Sequence, residues 1–195
     1  PTMLVNTTDP RVKRTRQMLM QAFMELLDQK KNVSSITIQD ITTRATVNRS
    51  TFYAHFEDKF AFLESWMREK FREKLKNELP KAALSDIGSL RMLILIVFDF
   101  LHCTRPLLTL ADRQYEPLFE ASMQKELYDL LFTWLNEQSE PPVTRESVKT
   151  AARVASWGIF GSAFEWSRHP QHRSAEDTAR EVLMIVAAGL APVLR

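Results

Sequence analysis

Thr37-Ile-Gln-Asp-Ile-Thr-Thr-Arg-Ala45-Thr-Val-Asn48-Arg-Ser-Thr-Phe-Tyr-Ala-His-Phe56 decides how this chain folds. Thr37 is placed to cap a short helix that carries Ile38, Ile41 and Ala45 at spacings of 3 and 4. Thr46-Val47 is too short for anything but a turn. Asn48 is placed to cap a second short helix, with Phe52 and Phe56 one turn apart. Two short helices on a shared apolar backbone describe a helix-turn-helix. Ala45 falls where the helices cross, and a larger side chain would push them apart. Ile38, Ile41, Val47, Phe52 and Phe56 are the expected miniature core.

Working outward, Asp9-Pro10 reads as the cap and first position of a preceding helix. Apolar pairs at Met18/Leu19, Ala22/Phe23 and Leu26/Leu27 repeat every 4 residues, one face of a helix. Lys30-Lys31 close it at the end where cations suit the helix dipole. Asn32 to Ser35 reads as a loop. Asp58 caps a long helix through Phe60, Leu63, Trp66, Met67, Phe71 and Leu75, with Pro80 as its terminator. Beyond it the pattern predicts helices over Asp86–Cys103, Leu107–Asp112, Pro117–Gln138 and Arg145–Arg168, and one from Ser174 to about Leu190. The expectation is an all-α chain of about nine helices: a flexible arm at 1–9, a helix-turn-helix domain at 10–66, and a larger helical domain at 67–195.

Composition narrows the function class. With 4 glycines in 195 residues, a turn-rich β fold and a Gly-rich phosphate loop are both disfavoured. The single cysteine, Cys103, excludes an internal disulfide framework and a multi-cysteine zinc site. The unbroken apolar run Met92–Phe98 is short of a membrane span, and no cationic-then-apolar leader opens the chain. A cytoplasmic protein is expected. The net charge of +2 conceals an asymmetry, because Pro10–Phe56 holds eight basic residues against three acidic ones. Four of the eight lie between Arg11 and Arg16. That is the pattern of an anion-facing module on a near-neutral body.

The second short helix then supplies the contacts. The first turn of such a helix meets base edges in the major groove. Arg49 suits a bidentate contact with guanine. Ser50 and Thr51 suit base or phosphate. Tyr53, His55 and Lys59 face phosphates and set register. Thr37, at a helix N-terminus, offers backbone N–H groups to another phosphate. Arg16, from the basic run, and Asn48 complete the DNA-facing set.

Thr37–Ala45, Asn48–Phe56 and the following Glu57-Asp58-Lys59 resemble the DNA-binding domain of TetR/AcrR-type transcriptional regulators, over roughly residues 10–66. The stretch Thr51-Phe-Tyr-Ala-His-Phe56, followed by charged residues and Lys59, is the most specific part. The resemblance implies that Tyr53 and Lys59 contact phosphates and that Asn48 to Thr51 contact DNA. Where the family usually carries glycine, this chain has Thr46, which suits the position if φ stays negative. Trp157-Gly158-Ile159-Phe160-Gly161 through Trp166 and on to Gly189-Leu190 is similar to the C-terminal domain of a Gram-positive branch of the family. The family implies a cytoplasmic, two-domain homodimer whose last two helices form a four-helix interface. It also implies a body that binds a small effector and a palindromic operator, with half-sites about one DNA turn (~34 Å) or more apart.

In the body, Val148, Ala151, Ala152, Ala155, Gly158, Ile159, Ser162 and Ala163 form a small-residue stripe, matched by Ala179, Val182, Leu183, Val186, Ala187 and Leu190. These are expected at the dimer interface, with packing inside one chain as the alternative. The effector pocket is expected among Phe98, Asp99, His102, Met123, Trp134, Trp157 and Phe160, with Met92 and Cys103 nearby. Buried there, Asp99 would favour a cationic or hydrogen-bond-donating ligand. No cofactor is implied. His102-Cys103 are adjacent, so their side chains diverge on a helix and form no catalytic dyad, and Cys103 is expected to be buried and inert. His169-x-x-His172 reads as a surface loop rather than a metal site. The reading is a ligand-released repressor and not an enzyme; the alternative is an interaction module or degenerate regulator that no longer binds DNA specifically.

Overall fold

The protein is described by a computed structural model covering residues 9–79, 86–107 and 114–194. Among the described residues there are eight α-helices, one 3₁₀ turn and no strand. They are α1 (Pro10–Lys30), α2 (Ile38–Arg44), α3 (Arg49–His55), α4 (Lys59–Glu78), α5 (Ile87–Thr104), α6 (Glu116–Gln138), α7 (Arg145–Arg168) and α8 (Ala175–Leu190). The 3₁₀ turn is Arg105–Leu107. The expected arm at 1–8, the terminator Pro80 and most of the short helix expected at 107–112 lie outside the described residues.

Helix starts are fixed by side-chain caps. The Asp9 carboxylate accepts from the Arg11 N–H at 2.8 Å, with Pro10 at the first position. Thr37 and Asp40 form a reciprocal capping box on α2. Asp58, Asp86, Thr144 and Ser174 each accept from a backbone N–H three residues on. Asn48 occupies the N-cap position of α3, but its side chain makes no capping bond.

The chain divides into two compact units. The first holds the described residues up to Met67, together with Pro106, Leu107 and Gln114–Pro117; the second holds Arg68–Arg105 and Leu118 onward. The 106–117 segment was expected with the second domain. In the first unit the Val33 N–H donates to the Leu107 carbonyl at 3.3 Å, and Phe60 meets Tyr115 at 4.3 Å.

Aromatic rings build the first core. Phe62 meets Phe23, Phe52 and Phe56 at 5.4, 5.5 and 5.0 Å, and Phe23 meets Trp66 at 5.0 Å. Edge-on and tilted pairs of this kind add to the gain from area burial. Ile41, Ala45, Phe52 and Phe56 are buried as expected, whereas Ile38 and Val47 are only half-buried. Val33, inside the expected loop, and Ile36, just after it, are fully buried and pin it down.

In the second unit α5, α7 and α8 pack on one another. Ile87–Leu107 is the one described helical segment long and apolar enough to cross a membrane, although no single run reaches that length. Half of it is buried here, with Leu90, Leu93, Ile94, Val97 and Phe98 in the core. The lower half of α4 is tied to α6 by Arg72, whose Nε and Nη2 both donate to Glu126 at 2.6 Å. Such a planar fork holds geometry better than a single contact.

Candidate nucleic-acid interface

The turn between α2 and α3 is tighter than the sequence suggests. The Ala45 N–H returns to Ile41, the Thr46 N–H donates to the Thr43 carbonyl, and the Val47 N–H to the Thr42 carbonyl at 3.0 Å. To close this turn Thr46 adopts φ 55°, so the condition of a negative φ is not met. The left-handed region brings Cβ against the carbonyl, at a cost of roughly 1–2 kcal/mol for an L-residue. The backbone N–H groups of three consecutive residues, Ala45, Thr46 and Val47, are satisfied in exchange. Glycine would meet the same demand without strain.

On α3, Phe52 points inward, and Arg49, Ser50 and Tyr53 face solvent, with Thr51 half-buried. Arg49 Nη2 donates to the Tyr53 hydroxyl at 3.2 Å, and its guanidinium lies 5.7 Å from the Tyr53 ring. One turn of helix therefore carries a cation and a phenol already in contact. Asn48, exposed and not used as a cap, extends this polar face at the helix start.

Three expected contacts are engaged inside the unit. Arg16 donates from Nη2 to the Ser65 hydroxyl at 2.7 Å and from Nη1 to the His55 carbonyl at 3.4 Å, and its guanidinium covers the Phe56 ring at 4.4 Å. It braces α1, the end of α3 and α4. The basic-run residues left on the surface are Arg11, Lys13 and Arg14, which the sequence reading passed over for Arg16. Helical phase held the signal: Arg16 is three residues before the buried Leu19, on the inward edge. Lys59 Nζ donates to the Val33 carbonyl at 2.9 Å and fastens the α1–α2 loop. Thr37 gives both its N–H and its hydroxyl to Asp40, at 2.8 and 2.9 Å, so its own N–H is not offered to a phosphate.

Electrostatics sharpen these roles. Asp40 is held down to about 2, first by the hydrogen bond from Lys30 and then by the Thr37 N–H and hydroxyl. It stays ionised and keeps the capping box closed. Burial, and secondarily the Arg16 charge, push His55 below its ordinary value.

The expected effector pocket is not assembled as one site. Asp99 is on the surface in a 2.6 Å ion pair with Lys74, which removes the buried-carboxylate argument. His102, Trp157 and Met92 are also exposed, while Phe98, Met123, Trp134 and Phe160 are packed in the core. Cys103 is exposed rather than buried, with its thiol pushed up by partial burial and by Asp99. The Trp134 indole N–H is buried and finds no hydrogen-bond partner among the described residues. A separate open cleft of about 540 Å³ lies between the end of α7 and the start of α8. It is lined by Gly161, Ser162, Glu165, Trp166, His169, His172, Arg173 and Thr178. Among the described residues no group of three or more His, Cys, Asp or Glu is placed to hold a metal.

Part of the expected interface stripe is packed inside the chain, while Gly158 of the same stripe is exposed. Val148, Ala152, Ala155, Ile159 and Ala163 of α7, and Ala179, Val182, Val186 and Leu190 of α8, are buried within the chain. The exposed large apolar residues on these helices are Val154, Trp157, Met184 and Ile185, beside the exposed Gly158 and Gly161.

No protein-family model matches the chain. An uncharacterized HTH-type transcriptional regulator of Bacillus subtilis, YxbF, is 38% identical over 65 residues, 33% of this chain and 17% of that protein. The chain thus spans less than a fifth of that relative. Among solved structures, a TetR-family regulator from Streptomyces coelicolor matches with TM-score 0.59 at 16% identity, covering 93% of this chain and 82% of that one. The FadR repressor of Thermus thermophilus, bound to lauroyl-CoA, matches with TM-score 0.57 at 19% identity over 90% and 94%. A TetR variant from Acinetobacter baumannii bound to minocycline gives 0.56 at 17% over 90% and 94%. The fold is that of the TetR-type transcriptional regulators, as the motif resemblance implied.

Proposed function

We propose that the protein is a sequence-specific DNA-binding transcriptional regulator, a repressor released from a palindromic operator by a small effector. The observation that carries this is the outward face of α3. Arg49, Ser50 and Tyr53 are exposed on a helix whose other side is fixed by Phe52, and Asn48 stands open at its start. A rigid short helix with donors at its N-terminal turn suits the major groove. Arg11, Lys13 and Arg14 add the phosphate-directed charge that steers and anchors such a module. Arg16, Lys59 and His55 act from behind, holding the helix end and the loop.

We also propose a homodimer through α7 and α8. The exposed group Val154, Trp157, Met184 and Ile185 is the kind of apolar patch that marks an interface, and a two-fold dimer presents two recognition helices to a palindrome. The effector enters this reading by analogy with the ligand-bound FadR and TetR structures. In this chain the buried Trp134 N–H supports an effector that carries a hydrogen-bond acceptor. The effector works by binding one arrangement of the dimer more tightly than another, since only a difference in affinity moves the equilibrium. Action on DNA places the protein in the cytoplasm.

The test is in-vitro selection of DNA sites with purified protein at near-physiological salt. Enrichment of a palindrome is expected. Salt-sensitive binding with no enriched site, both with and without cell extract, would overturn the reading in favour of a degenerate regulator.

A further inference from the structure

This inference rests on the homodimer proposed above and specifies how the two copies meet. An isologous interface needs each protrusion and the hollow that receives it on one surface, placed at equal distances on either side of the two-fold axis. The exposed face of α7 has that arrangement. Trp157 is 52% exposed and projects with no ring partner among the described aromatic contacts. One turn later Gly161 opens the 540 Å³ cleft, and a Cβ built on Gly161 would meet nothing within 4 Å. Trp157 and Gly161 lie two residues either side of Ile159. Arg153 and Glu165 lie six residues either side of the same point, carry opposite charges, and are both exposed. Arg153 lies over the Tyr128 ring at 5.8 Å and otherwise feels only the charge of Glu146, two turns earlier on α7, among the described residues. The Glu165 side chain is 70% exposed, with a loose 3.7 Å contact to Arg168. Gly158 and Gly161, both exposed and without side chains, let a second helix approach closely between these pairs.

We infer that the occupant of this face is a second copy of the chain, with the two α7 helices antiparallel and crossing at the level of Ile159. Each Trp157 seats in the partner's cleft beside Gly161 and Ser162. Each Arg153 faces the partner's Glu165. Met184 and Ile185 extend the apolar contact from α8, where Val186 lies 4.0 Å from the Cβ position of Gly158. A buried tryptophan filling a pocket is the usual anchor of an interface, and here symmetry supplies it twice. The symmetric placement of knob, hollow and charges favours a self-contact over an unrelated partner, which imposes no such palindrome.

The experiment measures the dimer dissociation constant of the full chain by sedimentation at low salt, with circular dichroism confirming the fold of each variant. Trp157→Ala is expected to weaken the dimer roughly thirtyfold or more. Gly161→Leu, whose Cβ meets nothing within 4 Å in its own chain, is expected to weaken it comparably while leaving monomer helicity unchanged. Arg153→Glu and Glu165→Arg each convert two attractions per dimer into repulsions and weaken association. The double variant is expected to recover wild-type affinity to within roughly threefold, a coupling read directly from the cycle. A wild-type dimer whose double charge reversal is as weak as the single ones overturns this register while leaving the homodimer standing. A dimer indifferent to Trp157→Ala and Gly161→Leu does the same and leaves the cleft to a small ligand. A monomeric wild type overturns both readings.

Discussion

Thr46 sets the sharpest stability prediction. Its φ of 55° puts a β-branched side chain in a region where an L-residue costs roughly 1–2 kcal/mol. The side chain is exposed and makes no hydrogen bond, so little is lost on its removal. Thr46→Gly relieves the strain but frees the unfolded chain, which costs about 0.4–1 kcal/mol. The net expectation is a gain of ~0.5–1 kcal/mol. Urea denaturation followed by far-UV circular dichroism measures it, with an unchanged slope showing that the native state is otherwise the same. If the two units unfold separately, only the transition of the first should move. Thr46→Ala keeps the Cβ and should recover little of the gain; Thr46→Asn, which tolerates this region, should fall between. A Thr46→Gly variant no more stable than wild type would refute the claim that this turn is strained.

Arg49→Ala should alter base preference at one operator position by roughly 1–3 kcal/mol, whereas Tyr53→Phe should lower specific and non-specific affinity alike; competition binding with single-base operator variants separates the two. Arg16→Met should destabilise the first unit by on the order of 2 kcal/mol and leave the salt dependence of DNA binding unchanged. Arg14→Ala should instead flatten that salt dependence by about one phosphate's worth and leave stability nearly untouched, both read from titrations at several salt concentrations. Asp40 makes stability acid-sensitive. Its folded value of about 2 is below the ordinary 3.8, so the unfolded state binds more protons between them. The contribution is complete above 3.8 and fades as pH falls towards about 2. Asp40→Asn should flatten that part of the pH–stability curve, measured by urea midpoints across the range.

The helices and their starts were legible because their causes are local. Asp9, Asp58, Asp86, Thr144 and Ser174 cap within three residues, and periods of 3 and 4 mark the apolar faces. The helix-turn-helix was legible for the same reason, down to the buried Ala45 and Phe52. Which face of a helix stays open is not a local property. On α7 the small stripe was buried by α5 and α8, and the bulky Val154 and Trp157 were left outside. Asp99 and Trp134 are both on amphipathic helices, yet one is at the surface and the other sealed, because neighbouring helices set the depth. Arg16 shows the limit most directly. Sequence placed it in a basic run, but Ser65 and the His55 carbonyl, 49 and 39 residues away, turned it inward. Short-range order comes from neighbours in the chain; exposure, partnership and charge pairing come from neighbours in space, which only the tertiary structure brings together.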